Sequence, residues 1–201
     1  MSDLHVQLSS LSVLWRRLGW ARTAQLVARV THQQLRREPF GALPPVADWR
    51  ERDSRAQAGD AVCLYRALLV VCPEDALSVA SEAIEAGGVR FLQRTVGPLK
   101  QATLAGLSEP ERRAFLETRG ARFPNAVPRW TRTGGDAVSF EIDACRLVSL
   151  VAEVGHPELG RLFCLSDARF FGEVEPDVVL ERPHTLANGD PRCVFHLRWR
   201  T

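Results

Sequence analysis

Scarcities narrow the field first. Of 26 basic residues only Lys100 is a lysine, leaving 25 arginines, and methionine and tyrosine each occur once. The arginine bias fits a GC-rich coding sequence and carries no chemistry of its own. A net charge of +2 is too small to lay down the wide positive field by which proteins hold nucleic acid. Arginines do flank an apolar helical stretch in LGWARTAQLVARVTHQQLRR, but no helix-turn-helix pattern accompanies them, so they read as a solvated face. No apolar run approaches the ~20 residues that span a bilayer. The opening MSDLHVQLSSLSVLWRRLGW interrupts its apolar residues with polar ones, unlike the core of a signal peptide. G-x-S-x-G, P-loop and G-x-G-x-x-G patterns are all missing. So are the C-x-x-C and H-x-x-x-H spacings of a zinc site. Repeats and low-complexity tracts are absent too. The expectation is a cytoplasmic protein with a small-molecule partner, no nucleic acid and no membrane. Homo-oligomer formation is left open.

What is present is an ordinary globular composition, 45% hydrophobic and 25% charged over 201 residues. That length fits one domain, 1–201, able to bury a sizeable core. Its first part, 1–120, reads as mainly helical. Leu4, Leu8, Leu11, Leu14 or Trp15, and Leu18 recur at helical spacing, and Leu26, Val27 and Val30 continue it beyond Gly19. FGALPPVADWRERDSRAQAGD reads as a connector and AVCLYRALLVVC as a buried helix. Pro73 opens a helix that Gly87-Gly88 closes, and Ser108 with Glu111 forms a capping box for a further helix ending at Gly120. In 121–201 the character changes. RWTRTGGDAVSFEI reads as two strands about Gly134-Gly135. Two helices follow, one capped by Asp143 and one opened by Pro157, and then a hairpin turning at Asn188-Gly189. The predicted class is α+β, a helical N-terminal half followed by antiparallel hairpins packed with two helices.

Five cysteines, an odd number without an export signal, point to free thiols in a reducing compartment. Cys63 and Cys72 fall in the apolar helical run and read as packed structural thiols. Were Asp143 the cap, Cys145 would sit in a helix's first turn, where the positive end of the helix dipole favours a thiolate. Cys164, Asp167 and Phe171 are spaced to share one helix face, bringing a thiol beside a carboxylate able to carry protons. In a two-residue hairpin at Asn188-Gly189, facing residues sum to 377. His184 would then face Cys193, and a His–Cys pair generates a thiolate nucleophile. A bulge or longer loop would bring Thr185 or another neighbour across instead. For Cys145 and Cys193 the plain alternative, a thiol packed in the core, stands beside the reactive one. Three converging thiols also leave an iron–sulfur cluster open, although their spacing matches no cluster signature.

HPELGRLFCLSD and ERPHTLANGDPRCVF resemble the L-2-amino-thiazoline-4-carboxylic acid hydrolase family. The matching positions are Leu159, Gly160, Cys164, Asp167, Arg182, Thr185, Gly189, Asp190, Cys193 and Phe195, within a similarity running from about Phe140 to Phe195. Val194 departs from it, standing where aspartate is common. The resemblance implies cleavage of a carbon–nitrogen or carbon–sulfur bond in a small cyclic amidine, with no organic cofactor. The residues suit that chemistry, with Cys193 or Cys164 as nucleophile, Asp167 as proton carrier and His184 as activator or orienting group. Arg182 would hold a substrate carboxylate, with Thr185, Asp190 and Cys145 nearby. A role in a natural-product pathway is compatible with it. Two alternatives remain. One is a non-catalytic small-molecule-binding module, since 4-vinyl-reductase-type domains end in a similar hairpin. The other is an iron–sulfur protein using Cys145, Cys164 and Cys193.

Overall fold

The computed structural model describes residues 4–200; the expected domain limits at 1 and 201 lie outside them. Helix α1 spans Leu4–Leu35 and is broken by Gly19, whose φ of +74° and ψ of 173° interrupt the helical ladder. Helix α2 covers Trp49–Val71. The connector is therefore shorter than its composition suggests. Asp48 caps α2 by accepting a 2.7 Å bond from the Glu51 N–H. The polar stretch after it is helical because Ser54 and Ala58 turn inward and are buried.

A 3-10 turn, Pro73–Asp75, leads into α3, Ala76–Thr95. Gly87-Gly88 does not end this helix. A Cβ on Gly87 would sit 2.8 Å from Ser10 Oγ of α1, and one on Gly88 would sit 2.0 Å from Ser166 Oγ. The glycines let neighbouring helices approach α3 closely, and the packing outweighs their weak helix propensity. Short α4, Gln101–Ala105, and α5, Glu109–Gly120, complete the helical part. In α5 the expected capping box is formed, with Glu111 accepting from the Ser108 N–H at 2.8 Å and from its hydroxyl at 2.6 Å.

Strands β1, Arg129–Thr133, and β2, Ala137–Ile142, turn about the two glycines as expected. Helices α6, Arg146–Glu153, and α7, Leu159–Arg169, follow, and a π-helical turn, Phe170–Val174, ends α7. Strands β3, Val178–His184, and β4, Cys193–Trp199, finish an antiparallel sheet ordered β1-β2-β4-β3. The class is α+β, as predicted. Asp143, however, does not cap α6; Cys145 occupies that position. Asp143 is instead drawn out to Arg129 and Arg192, at 3.6 and 3.7 Å.

Two cores divide the interior. One lies among α1, α2, α3, α6 and α7, built from Val13, Leu26, Val62, Leu68, Val79, Ala80, Ala83 and Leu159 among others. The other lies between the sheet and the end of α3, with Leu92, Leu104, Phe170, Phe171, Leu197 and Trp199. Along β4, Cys193, Phe195, Leu197 and Trp199 are buried while the alternate residues are not, which is the period of a half-buried strand. Each large apolar side chain so buried contributes about 1.5–3 kcal/mol. Trp199 is also fixed by its indole N–H, which donates 2.9 Å to Leu99 O.

Candidate active site

The seam between the two cores collects the thiols. Helix α7 buries Leu159, Leu162 and Ser166 and leaves Cys164 and Asp167, one turn apart, on the side facing β3 and β4. From β3, Arg182 crosses the Phe195 ring, 5.5 Å from its centroid, and reaches α7. There it donates 2.6 Å to Asp167 Oδ2 and 2.9 Å to Cys164 O. Both terminal nitrogens of the fork are thus engaged. In this structure the charge-assisted contact of Arg182 is to Asp167.

The hairpin differs from the expected two-residue turn. Pairs Val178–Trp199 to Glu181–His196 follow the expected register, and then a bulge shifts it so that His184 faces Val194. His184 does not face Cys193. Its side chain is 58% exposed and lies 3.4 Å from Asp190. The loop is longer because Leu186–Asn188 forms a 3-10 turn that Gly189 closes at φ +90°, a conformation suited to glycine. Asp190 accepts the Thr185 N–H at 2.7 Å, pinning the loop, and the Leu186 N–H then donates to Cys193 Sγ at 3.3 Å. The Gly-Asp-x-x-Cys spacing is therefore a device for aiming a backbone donor at a sulfur. Val194 alternates with Cys193 and so points to the opposite face of the sheet. Thr185 is buried.

Cys145 joins from the start of α6. Asn125 Nδ2 donates to its sulfur at 3.7 Å. The sequence reading missed Asn125, whose only signal was a polar residue among the prolines of PNAVP. Its position depends on distant groups. Arg50 of α2 donates to the carbonyls of Ala121, Phe123 and Ala126, and the Arg146 N–H donates to Asn125 O at 2.8 Å.

Electrostatics confirm the grouping. Burial pushes the Cys164 thiol up to about 12, with smaller upward contributions from Asp167, Cys193 and Cys145 against the pull of Arg182. Cys193 is raised too, mainly by burial, with the Leu186 N–H drawing it back and Cys145 opposing. Burial raises the Asp167 carboxyl to about 6, although Arg182 holds it down. Both thiols are thus protonated at neutral pH beside a carboxylate that is ionised there and holds a proton in mild acid. Among the described residues, no group of three or more His, Cys, Asp or Glu side chains is arranged to hold a metal.

A cavity of about 130 Å³ lies in the sheet-side core and borders this cluster at Asp167, without any of the three cysteines in its lining. Its walls are apolar except for Asp167, Asn125 and Arg119. Three of its lining residues border the thiols: Asp167, Asn125 and Ile142, the last paired with Cys193 across the β2–β4 ladder. A wider, open hollow between α1 and α3 is lined by His5, Leu8, Ser9, Ser12, Arg90, Gln93 and Arg94 and holds neither thiol nor carboxylate.

Residues 51–197 match the family model for L-2-amino-thiazoline-4-carboxylic acid hydrolase. The chain belongs to that family. In this hydrolase-family member the match runs well upstream of the C-terminal third, taking in α2, whose Arg50 lies just before it and pins the Asn125 loop. No curated protein matches the chain. Among solved structures, the Fe(II) unliganded H-NOX protein from K. algicida is 11% identical, with 98% of this chain and 95% of that one covered and a TM-score of 0.37. An oxygen-binding H-NOX domain related to soluble guanylate cyclases is 12% identical, with 100% and 96% covered and a TM-score of 0.36. Likenesses so loose carry no argument about the ligand. Among the described residues, no helix is long and apolar enough to cross a membrane.

Proposed function

We propose that the protein is a cysteine-dependent hydrolase that opens a C–N or C–S bond in a cyclic amidine or thiazoline-type metabolite. Its setting would be small-molecule or natural-product metabolism in a reducing cytoplasm, and no organic cofactor is needed. The observation that carries this reading is the Asp167–Arg182 pair set among three thiols. Cys193 is the nucleophile because its sulfur alone receives a backbone N–H, a contact that favours the thiolate.

The Cys193 sulfur bonds to the amidine carbon as its proton passes to Asp167. The carbon's bond to the ring heteroatom then breaks, and that leaving atom takes the proton back from Asp167. Water adds to the enzyme-bound carbon with Asp167 as base, and expulsion of the Cys193 sulfur restores the thiol. One water is consumed and nothing is oxidised. Arg182 keeps Asp167 oriented through the cycle and favours its return to the ionised form after each proton transfer. Asp190 and Thr185 hold the loop that presents the Leu186 N–H, and Cys145 and Cys164 wall the reacting group. His184, exposed beside Asp190, takes no part in these steps.

The test is incubation with L-2-amino-thiazoline-4-carboxylate and a small panel of cyclic amidines, following ring opening and the intact mass of the protein. Turnover with a transient adduct on Cys193 is expected. An adduct on Cys164, or turnover unaffected by Cys193→Ala, would overturn the assignment. A second reading, ligand binding without turnover, is favoured by the apolar cavity. Tight binding with no ring opening across the panel would establish it.

A further inference from the structure

The cavity has a composition that a compact, charged ring does not need. Six aromatic side chains line it: Phe123, Trp130, Phe140, Phe171, Phe195 and Trp199. Phe140 and Phe195 stack with ring centroids 4.5 Å apart, and Trp130 leans on Phe140 at 5.0 Å. Polar groups are confined to a few points, and two of them, Asp167 and Asn125, sit where the thiols begin. A ligand spanning this site has one end beside a carboxylate and a nucleophile and the other among aromatic rings. The volume, about 130 Å³, approaches that of the ~150 Å³ apolar cavity that accepts benzene in another protein.

We infer that the cavity is a substrate subsite for an apolar, ring-sized substituent, so that the amidine or thiazoline cleaved here carries an aryl or branched alkyl group. The inference rests on the hydrolase reading for the identity of the head group. The cavity itself does not depend on it. The amidine nitrogens approach Asp167 through Oδ1, the oxygen that Arg182 leaves free, while the substituent lies against Phe195 and Phe140. Two independent placements support this. Asp167 and Phe171 are spaced to share a face and both line the cavity, one polar and one apolar. Cys193 and Phe195 are alternate residues of β4 and point the same way.

The experiment compares 2-amino-2-thiazoline with 2-amino-4-phenyl-2-thiazoline on the intact protein. Binding is measured by calorimetry and by quenching of tryptophan emission, since Trp130 and Trp199 both line the cavity. The phenyl compound is expected to bind roughly 10- to 100-fold more tightly, the range that burial of one ring gives. Leu197→Trp and Val138→Phe, each filling the space from a different strand, are expected to remove that margin. Circular dichroism establishes that each variant is folded, and either one suffices. Equal affinities for the two compounds, or a margin that survives in a folded, filled variant, would overturn the inference. Hydrolysis is scored separately. A binding margin without ring opening of either compound leaves the subsite standing and removes the hydrolase reading. Ring opening with no margin does the reverse.

Discussion

The two cores differ in grain, and the five thiols divide along the same line. The helical core sets alanines and valines among its leucines and carries no phenylalanine or tryptophan in its buried set, and Gly87 and Gly88 let neighbouring helices come close to α3. The sheet-side core is built of leucines and planar rings laid on a twisted surface. Flat rings against a curved sheet leave room, and the cavity is there. Cys63 and Cys72 belong to the helical region, fully buried; burial pushes Cys63 up to about 11, and its thiol donates to Glu38 O at 3.6 Å. Cys145, Cys164 and Cys193 lie at the border of the second, where each of the last two feels the charge of the other thiols or of Asp167. On the proposed mechanism, the same side chain is inert in one place and usable in the other because of what stands beside it.

The contrast breaks most sharply at the proposed nucleophile. Cys193→Ala is expected to lower kcat on the order of 10⁴-fold or more, the scale seen when a nucleophile is removed elsewhere, read by steady-state ring-opening assays. Asp167→Asn comes next, with a fall of roughly 10²–10⁴-fold, the range of general acid–base catalysis. The wild-type rate should rise with pH through about 6 as Asp167 ionises, and the variant should lose that limb. Stability runs the other way. The folded-state value of Asp167 lies above that of the unfolded chain, so its contribution is full in acid and is lost as pH rises through about 6. Urea melts of wild type and variant across this range would show that difference.

Arg182→Gln is a smaller perturbation, because it removes the cation that holds Asp167 down. Its acidic limb should move to higher pH than that of wild type in the same rate profile, and an unmoved limb would break the proposed link between the two residues. On the packed side, Gly88→Ala would force a methyl against the Ser166 side chain. A loss of about 1–3 kcal/mol by chemical melts is expected from such overpacking. Cys63→Ala should have the least effect on function, with unchanged ring opening and a stability loss of about 1 kcal/mol.

Legibility followed the range of the contacts involved. Ser108 and Glu111, the Gly134-Gly135 turn and the inward alternation of Cys193, Phe195, Leu197 and Trp199 were readable because each rests on neighbours in the chain. Misreadings fell where distant packing overrode a local preference. Gly87-Gly88 looked like a helix end, yet Ser10 and Ser166 require small residues there. Asn188-Gly189 looked like a two-residue turn, yet the bulge and the Asp190–Thr185 bond set a longer loop and turned His184 away from Cys193. Asp143 looked like a cap, but Arg129 and Arg192 draw it out.

The chain's local chemistry was enough to specify an α+β protein with a helical first half, to place Cys164 and Asp167 on one face, and to suggest a family. Those properties depend on propensity, period and short motifs. Which thiols assemble, what Arg182 holds, how Asn125 arrives and whether a cavity opens beside them were settled by folding alone. Each depends on segments tens of residues apart, from Arg50 through Asn125 and Cys145 to Cys193. Their meeting is fixed by how helices and sheet bury their apolar faces together, and no local pattern encodes that.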